Sequence, residues 1–159
     1  MNAPGEGQGV RPAVALAMAL IGFFALAIFG LGMTSLALDA DVIAVEGLGP
    51  VPGVAGMLLA SASFAGSLWW GLRSGSPTFG IVPIVAIATW LGEGVGVLVG
   101  AVISGAGAAT GLAAAGGVVV GWPGLVIAAA ALIAAWAGVA LTRTRASRPR
   151  WPWERDDDE

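Results

Sequence analysis

Four stretches of this chain, residues 13–38, 47–72, 79–104 and 118–141, carry almost no charge. Each is longer than the ~20 apolar residues that an α-helix needs to cross a hydrocarbon core of ~30 Å. The basic residues fall between and beyond them: Arg11 before the first, Arg73 after the second, and Arg143, Arg145, Arg148, Arg150 and Arg155 after the fourth. Successive crossings run in opposite directions, so all seven are expected on one face. Basic residues near span ends favour the cytoplasmic face, which puts both termini inside. The expected fold is therefore all-α: a polytopic integral membrane protein with four transmembrane helices in an antiparallel bundle. Connections this short favour packing of helices that follow one another in the chain.

Composition then closes off most chemistry. Charged residues make up 11% of the chain, against ~25% in soluble proteins, and the spans leave no room for a soluble domain with its own core. There is no Cys and no His, which removes thiolate chemistry and the commonest catalytic base and metal ligand. Lys and Tyr are missing as well. A catalytic site would have to be built from Ser, Thr, Arg and carboxylates, and no nucleophile here has a candidate base beside it. No enzymatic activity, cofactor or metal site is expected. Nor does a basic patch spread over a folded surface, so nucleic acid is not an expected partner. Arg without Lys, among much Ala, Gly and Val, suggests a high-GC bacterial genome and hence a bacterial inner membrane.

The segments outside the spans carry few signals. Residues 1–12, rich in Gly, read as a disordered cytoplasmic arm. Pro12 suits a first helical turn, where its missing N–H has no helical partner to lose. The uncharged run that follows is too long for a 7–15-residue signal h-region, so it reads as a retained signal anchor. Asp39, Asp41 and Glu46 lack EF-hand spacing and read as a solvated outer loop. Residues 105–117 contain only Gly, Ala, Thr and Leu. They are expected to form a loop on, or partly in, the outer membrane surface. Residues 142–159 read as a disordered tail. Its Arg143, Arg145, Arg148 and Arg150, with Trp151 and Trp153, suit contact with anionic headgroups, at ~1 kcal/mol per basic residue. The lipid bilayer is thus the first expected partner, and a second copy or another membrane protein the next.

The halves also echo each other. A shift of 71 residues aligns Pro12-Ala13-Val14-Ala15 with Pro83-Ile84-Val85-Ala86, and Val51-Pro52-Gly53 with Trp122-Pro123-Gly124. That pattern fits two helical hairpins in a parallel repeat.

Glu93 is the one ionisable residue well inside a span. A charge at such depth costs at least ~2.5–3.5 kcal/mol on insertion scales, and such residues usually face the bundle interior. Ala88, Gly92, Gly96, Gly100 and Ser104 recur every fourth position beside it. They form a ridge of small residues that lets two helices approach closely. The second span, with Gly56, Ala60 and Ser67, is the expected partner of this ridge. Thr89, one turn before Glu93, and Ser61 and Ser63, at similar depth on the second span, are its candidate hydrogen-bond partners. Two roles compete. In the first, the chain is a small multi-pass inner-membrane protein without enzymatic activity that packs against partner proteins or lipids. In the second, it is a small transporter or channel subunit that uses Glu93 as a proton- or cation-binding carboxylate.

Overall fold

A computed structural model describes residues 10–43, 49–73 and 78–143. Among them are five helices and no strand: α1 (Pro12–Leu38), α2 (Val51–Arg73), α3 (Ile81–Ile103), α4 (Ala108–Val120) and α5 (Trp122–Arg143). Four of these, α1, α2, α3 and α5, are long and apolar enough to cross a membrane. α4 has 13 residues and rises only ~20 Å, too little to cross.

Local chemistry sets the helix ends. Pro12 occupies the first turn of α1. At the other end Asp39 turns left-handed (φ 48°) and returns its N–H to the Ser35 carbonyl, a conformation that Asp tolerates better than most side chains. The Ser35 hydroxyl also donates to the Ala40 carbonyl at 2.8 Å. Between α3 and α4 the chain reverses through Gly105 (φ 85°) and Gly107 (φ 79°), where a Cβ would be strained.

The segment expected to be a loop, 105–117, is largely helical. Its Ala113-Ala114-Ala115 run favours helix, and its glycines serve packing instead of irregular structure. A Cβ on Gly111 would come within 3.0 Å of Leu98 and 3.3 Å of Ala101 on α3. Residues Val118 to Val120 accordingly belong to α4, and the last long helix begins at Trp122. Gly121, extended at ψ −179°, makes the break.

A hydrogen bond pins that break to α3. The Trp90 indole N–H donates to the Val119 carbonyl at 3.0 Å. Pro123 stands four residues after Val119 and has no N–H to offer it, so the indole serves an acceptor that the chain itself cannot. Gly124 makes room: a Cβ there would lie 2.7 Å from the indole nitrogen and 2.6 Å from the Val118 carbonyl. Trp90→Phe is expected to lower stability by about 1 kcal/mol, the net worth of one half-buried hydrogen bond, read as a lower Tm in detergent.

The long helices close into a ring in the order α1, α5, α3, α2, with α4 outside it against α3 and α5. The α2–α3 interface is the most extensive. α1 buries only one narrow stripe, Ala15, Ala19, Phe23 and Ala27, and leaves Ile21, Ile28 and Phe29 about two-thirds exposed. A helix apolar on every face suits a lipid environment. Since lipid is as apolar as leucine, cohesion must come from close packing, which the many buried alanines and glycines allow.

Candidate functional site

Glu93 lies on α3 between Gly92 and Gly94, only 6% exposed. Its Oε2 has no hydrogen-bond partner. The carboxyl borders a cavity of about 190 Å³, walled by Ile28 of α1, Met57 of α2, Val97 of α3, Val118 of α4, and Val42 and Ile43 after α1. Every other residue of that wall is apolar. A polar group without a partner in such surroundings is costly, so the arrangement needs an explanation.

Two of the three hydroxyls expected to serve it are engaged elsewhere. Thr89 donates to the Val85 carbonyl at 2.7 Å, and Ser61 to the Met57 carbonyl at 2.6 Å. Both follow the habit of helical Ser and Thr, whose hydroxyls bond the carbonyl four residues back. Spacing put Thr89 within reach of Glu93, but its own helix offered a nearer acceptor. Ser63 packs on Gly92, where an added Cβ would collide with its side chain.

The ridge meets α2 at its centre. A Cβ on Gly96 would run into the Ala55 carbonyl and come within 2.7 Å of the Gly56 Cα. One on Gly100 would lie 2.7 Å from the Pro52 Cα, and one on Gly92 3.1 Å from the Leu59 carbonyl. At the ends, Ala88 is half-buried and Ser104 is exposed, with the Ser104 hydroxyl donating to the Gly100 carbonyl. From the α2 side, Gly56 faces Val97 and the backbone of Glu93. The helix bearing the carboxyl is thus clamped by backbone contacts that do not use the carboxyl.

Toward the α3 N-terminus from Glu93 the bundle is solid. The Phe23 and Phe64 rings stack at 4.8 Å, nearly parallel at 11°. Leu68, Val85, Thr89 and Ile127 are fully buried with them. Beyond this plug, Arg73 lies 5.5 Å over the Trp69 ring and Arg143 4.9 Å over Phe79, which itself stacks on Trp136 at 6.2 Å. Such pairs favour a cation beside an aromatic face. Arg145, Arg148, Arg150, Trp151 and Trp153 lie outside the described residues, as do residues 1–9. Among the described residues no three of His, Cys, Asp or Glu come together as a metal site.

Sequence reasoning did not single out Val42 and Val118 in the cavity wall, nor the Trp90 contact. The two valines carry no signal in so apolar a chain. Trp90 did carry one, since a half-buried indole favours an acceptor and Pro123 leaves one free.

These features define a helical protein with four potential membrane spans and a carboxyl enclosed among them. The family of unknown function DUF6121 matches residues 9–159, and the chain belongs to that family. No curated protein and no solved structure matches it.

Proposed function

We propose that this chain is a small transporter or channel subunit of the bacterial inner membrane in which Glu93 takes up and releases a proton or cationic group. One observation carries this: Glu93 borders a cavity, and its buried Oε2 has no hydrogen-bond partner. A carboxyl that only glued helices together would use its oxygens across an interface, for a gain averaging ~0.6 kcal/mol. The glycine contacts of α2 and α3 already hold that interface, so the ~2.5–3.5 kcal/mol insertion penalty has no structural return. Intramembrane ionisable groups of this kind carry function by default.

The proposed setting is a four-span antiparallel bundle with both termini in the cytoplasm. In its favour, Gly100 meets Pro52, Gly96 meets Gly56 and Gly71 meets Ile81, so residue numbers rise on one helix as they fall on the other. The aromatic-capped Arg73 and Arg143 stand at one end of the bundle and Asp39 and Asp41 at the other, as the preference of basic residues for the cytoplasmic side requires. Lipid is the immediate partner, and a second copy would help to enclose a path. No enzymatic step, cofactor or nucleic acid enters the proposal. The rival role, a packing or accessory protein, is favoured by the α2–α3 contact alone.

Labelling by a lipid-soluble carbodiimide across a pH series, with Glu93→Gln as control, separates the two. A binding carboxyl is expected to label at Glu93, with labelling that fades as the pH rises, and the Gln variant should assemble normally yet lose flux. No labelling at any pH, with yield and assembly of the variant unchanged, would return the protein to the packing role.

A further inference from the structure

The cavity beside Glu93 has a neighbour. A second one, also about 190 Å³, is walled by Asp41, Val42, Ala114, Val118 and Trp122, among others. Val42 and Val118 line both. The two spaces therefore abut across these valines, and the outer one ends at an exposed carboxylate. In the opposite direction Phe23, Phe64, Leu68, Val85 and Ile127 leave no exposed surface at all. From these placements we infer that Glu93 is loaded from one face only, through a passage that begins at Asp41, runs beneath α4 and narrows between Val42 and Val118.

The electrostatics of the mouth select its ligand. Asp39 and Asp41 stand at this end, while the described arginines, Arg11, Arg73 and Arg143, stand at the other. A cleft lined by one sign of charge between low-dielectric walls concentrates counter-ions. The mouth therefore admits cations and turns anions away, and the single carboxylate of the inner cavity balances one charge, which suits a small monovalent cation or a proton carried by water. α4 acts in this scheme as the roof: Val118 sits in its last turn, held by the adjoining Trp90–Val119 bond. The inference rests on Glu93 acting as a binding carboxyl, as proposed above, and adds the direction of access.

Because the chain has no Cys, a single Val97→Cys substitution provides a unique thiol in the inner cavity. Silver ion, a monovalent cation that blocks thiols, would be added to one or the other side of sealed vesicles. The remaining free thiol is then counted with a maleimide after denaturation. Block from the Asp41 face is expected to be at least ~10-fold faster than from the Arg73 face, and Asp41→Asn should slow it, as charge focusing implies. Val118→Phe should slow entry and Val118→Ala speed it, so the constriction is tested even where the larger side chain folds poorly. A thiol introduced instead by Val85→Cys, beyond the aromatic plug, should stay free from either side. Equal block of the Val97→Cys protein from both faces, faster block from the Arg73 face, or a thiol there that never reacts would overturn the passage. Block of that thiol from the Asp41 face, beside a Glu93 that no carbodiimide labels, would leave the passage standing and remove the binding role. Block from the Arg73 face with a labelled Glu93 would do the reverse.

Discussion

Gly96→Leu is expected to prevent assembly of the bundle. At Gly96 the nearest atoms to an added Cβ are the Ala55 carbonyl and, at 2.7 Å, the Gly56 Cα. Both are helix backbone, so neither can yield by changing rotamer. Overpacking against side chains typically costs 1–3 kcal/mol. Here the two helices must separate, and separation also loses the contacts at Gly92 and Gly100 one turn to either side. We expect Gly96→Ala to cost about 2 kcal/mol, and Leu to exceed ~4 kcal/mol, a loss few single substitutions reach. Against a total stability of ~5–15 kcal/mol, the larger change leaves little folded protein. The measurement is size-exclusion profile and thermal unfolding in detergent, with Gly66→Ala as control. Gly66 lies on α2, the partner helix, but a Cβ there meets nothing within 4 Å. That control should be neutral or gain up to ~1 kcal/mol from helix propensity. A monodisperse, normally stable Gly96→Leu protein would mean that the ridge does not hold α2 to α3.

The four long helices were legible because apolar length and the placement of charge are quantities a sequence displays directly. The expected stretches match α1, α2, α3 and α5 to within a few residues. The largest shifts come where Pro or Gly intervenes: α2 begins at Val51, beside Pro50 and Pro52, and α5 at Trp122, after Gly121. α4 was hidden because Gly and Ala are ambiguous, reading as loop in isolation and as a close-packing face once α3 lies beneath. The position of Glu93 inside α3 followed from spacing, whereas its hydrogen bonding did not, since whether Thr89 serves Glu93 or Val85 is settled by local geometry. The cavity had no signature, being walled by valine, isoleucine and methionine drawn from four helices and a connection. The 71-residue shift pairs α1 with α3 and α2 with α5. The α2–α3 and α1–α5 interfaces exchange under it, as two like hairpins would require. Their contacts differ in detail: α2–α3 rests on glycine against backbone, while at Gly138 an added Cβ would touch the Ala19 side chain at 3.0 Å.

Phe64→Ala should both loosen the bundle and unseal it. Phe64 and Phe23 are fully buried, and each ring supplies one wall of the other's site. In water-soluble proteins Phe→Ala costs about 3–5 kcal/mol, part of which is transfer of the ring to water. Within a bilayer the unfolded helices keep their side chains in lipid, so that part largely vanishes. The cavity contribution remains, and ~24 cal/mol per Å³ over the ~100 Å³ removed gives about 2.4 kcal/mol. The loss of the stacked pair adds ~0.5–1.5 kcal/mol. A destabilisation of about 3–4 kcal/mol should therefore leave most of the protein folded, which makes the second effect measurable. The lost ring stood between the Glu93 cavity and the Arg73 end. In a Phe64→Ala, Val97→Cys double variant, the cavity thiol should therefore become reactive to silver ion from that end as well. Phe64→Leu, which retains most of the volume, should keep the one-sided reactivity. If Phe64→Ala loses stability yet still admits silver from the Asp41 face alone, the aromatic pair is a packing element and the barrier lies elsewhere among Leu68, Val85 and Ile127.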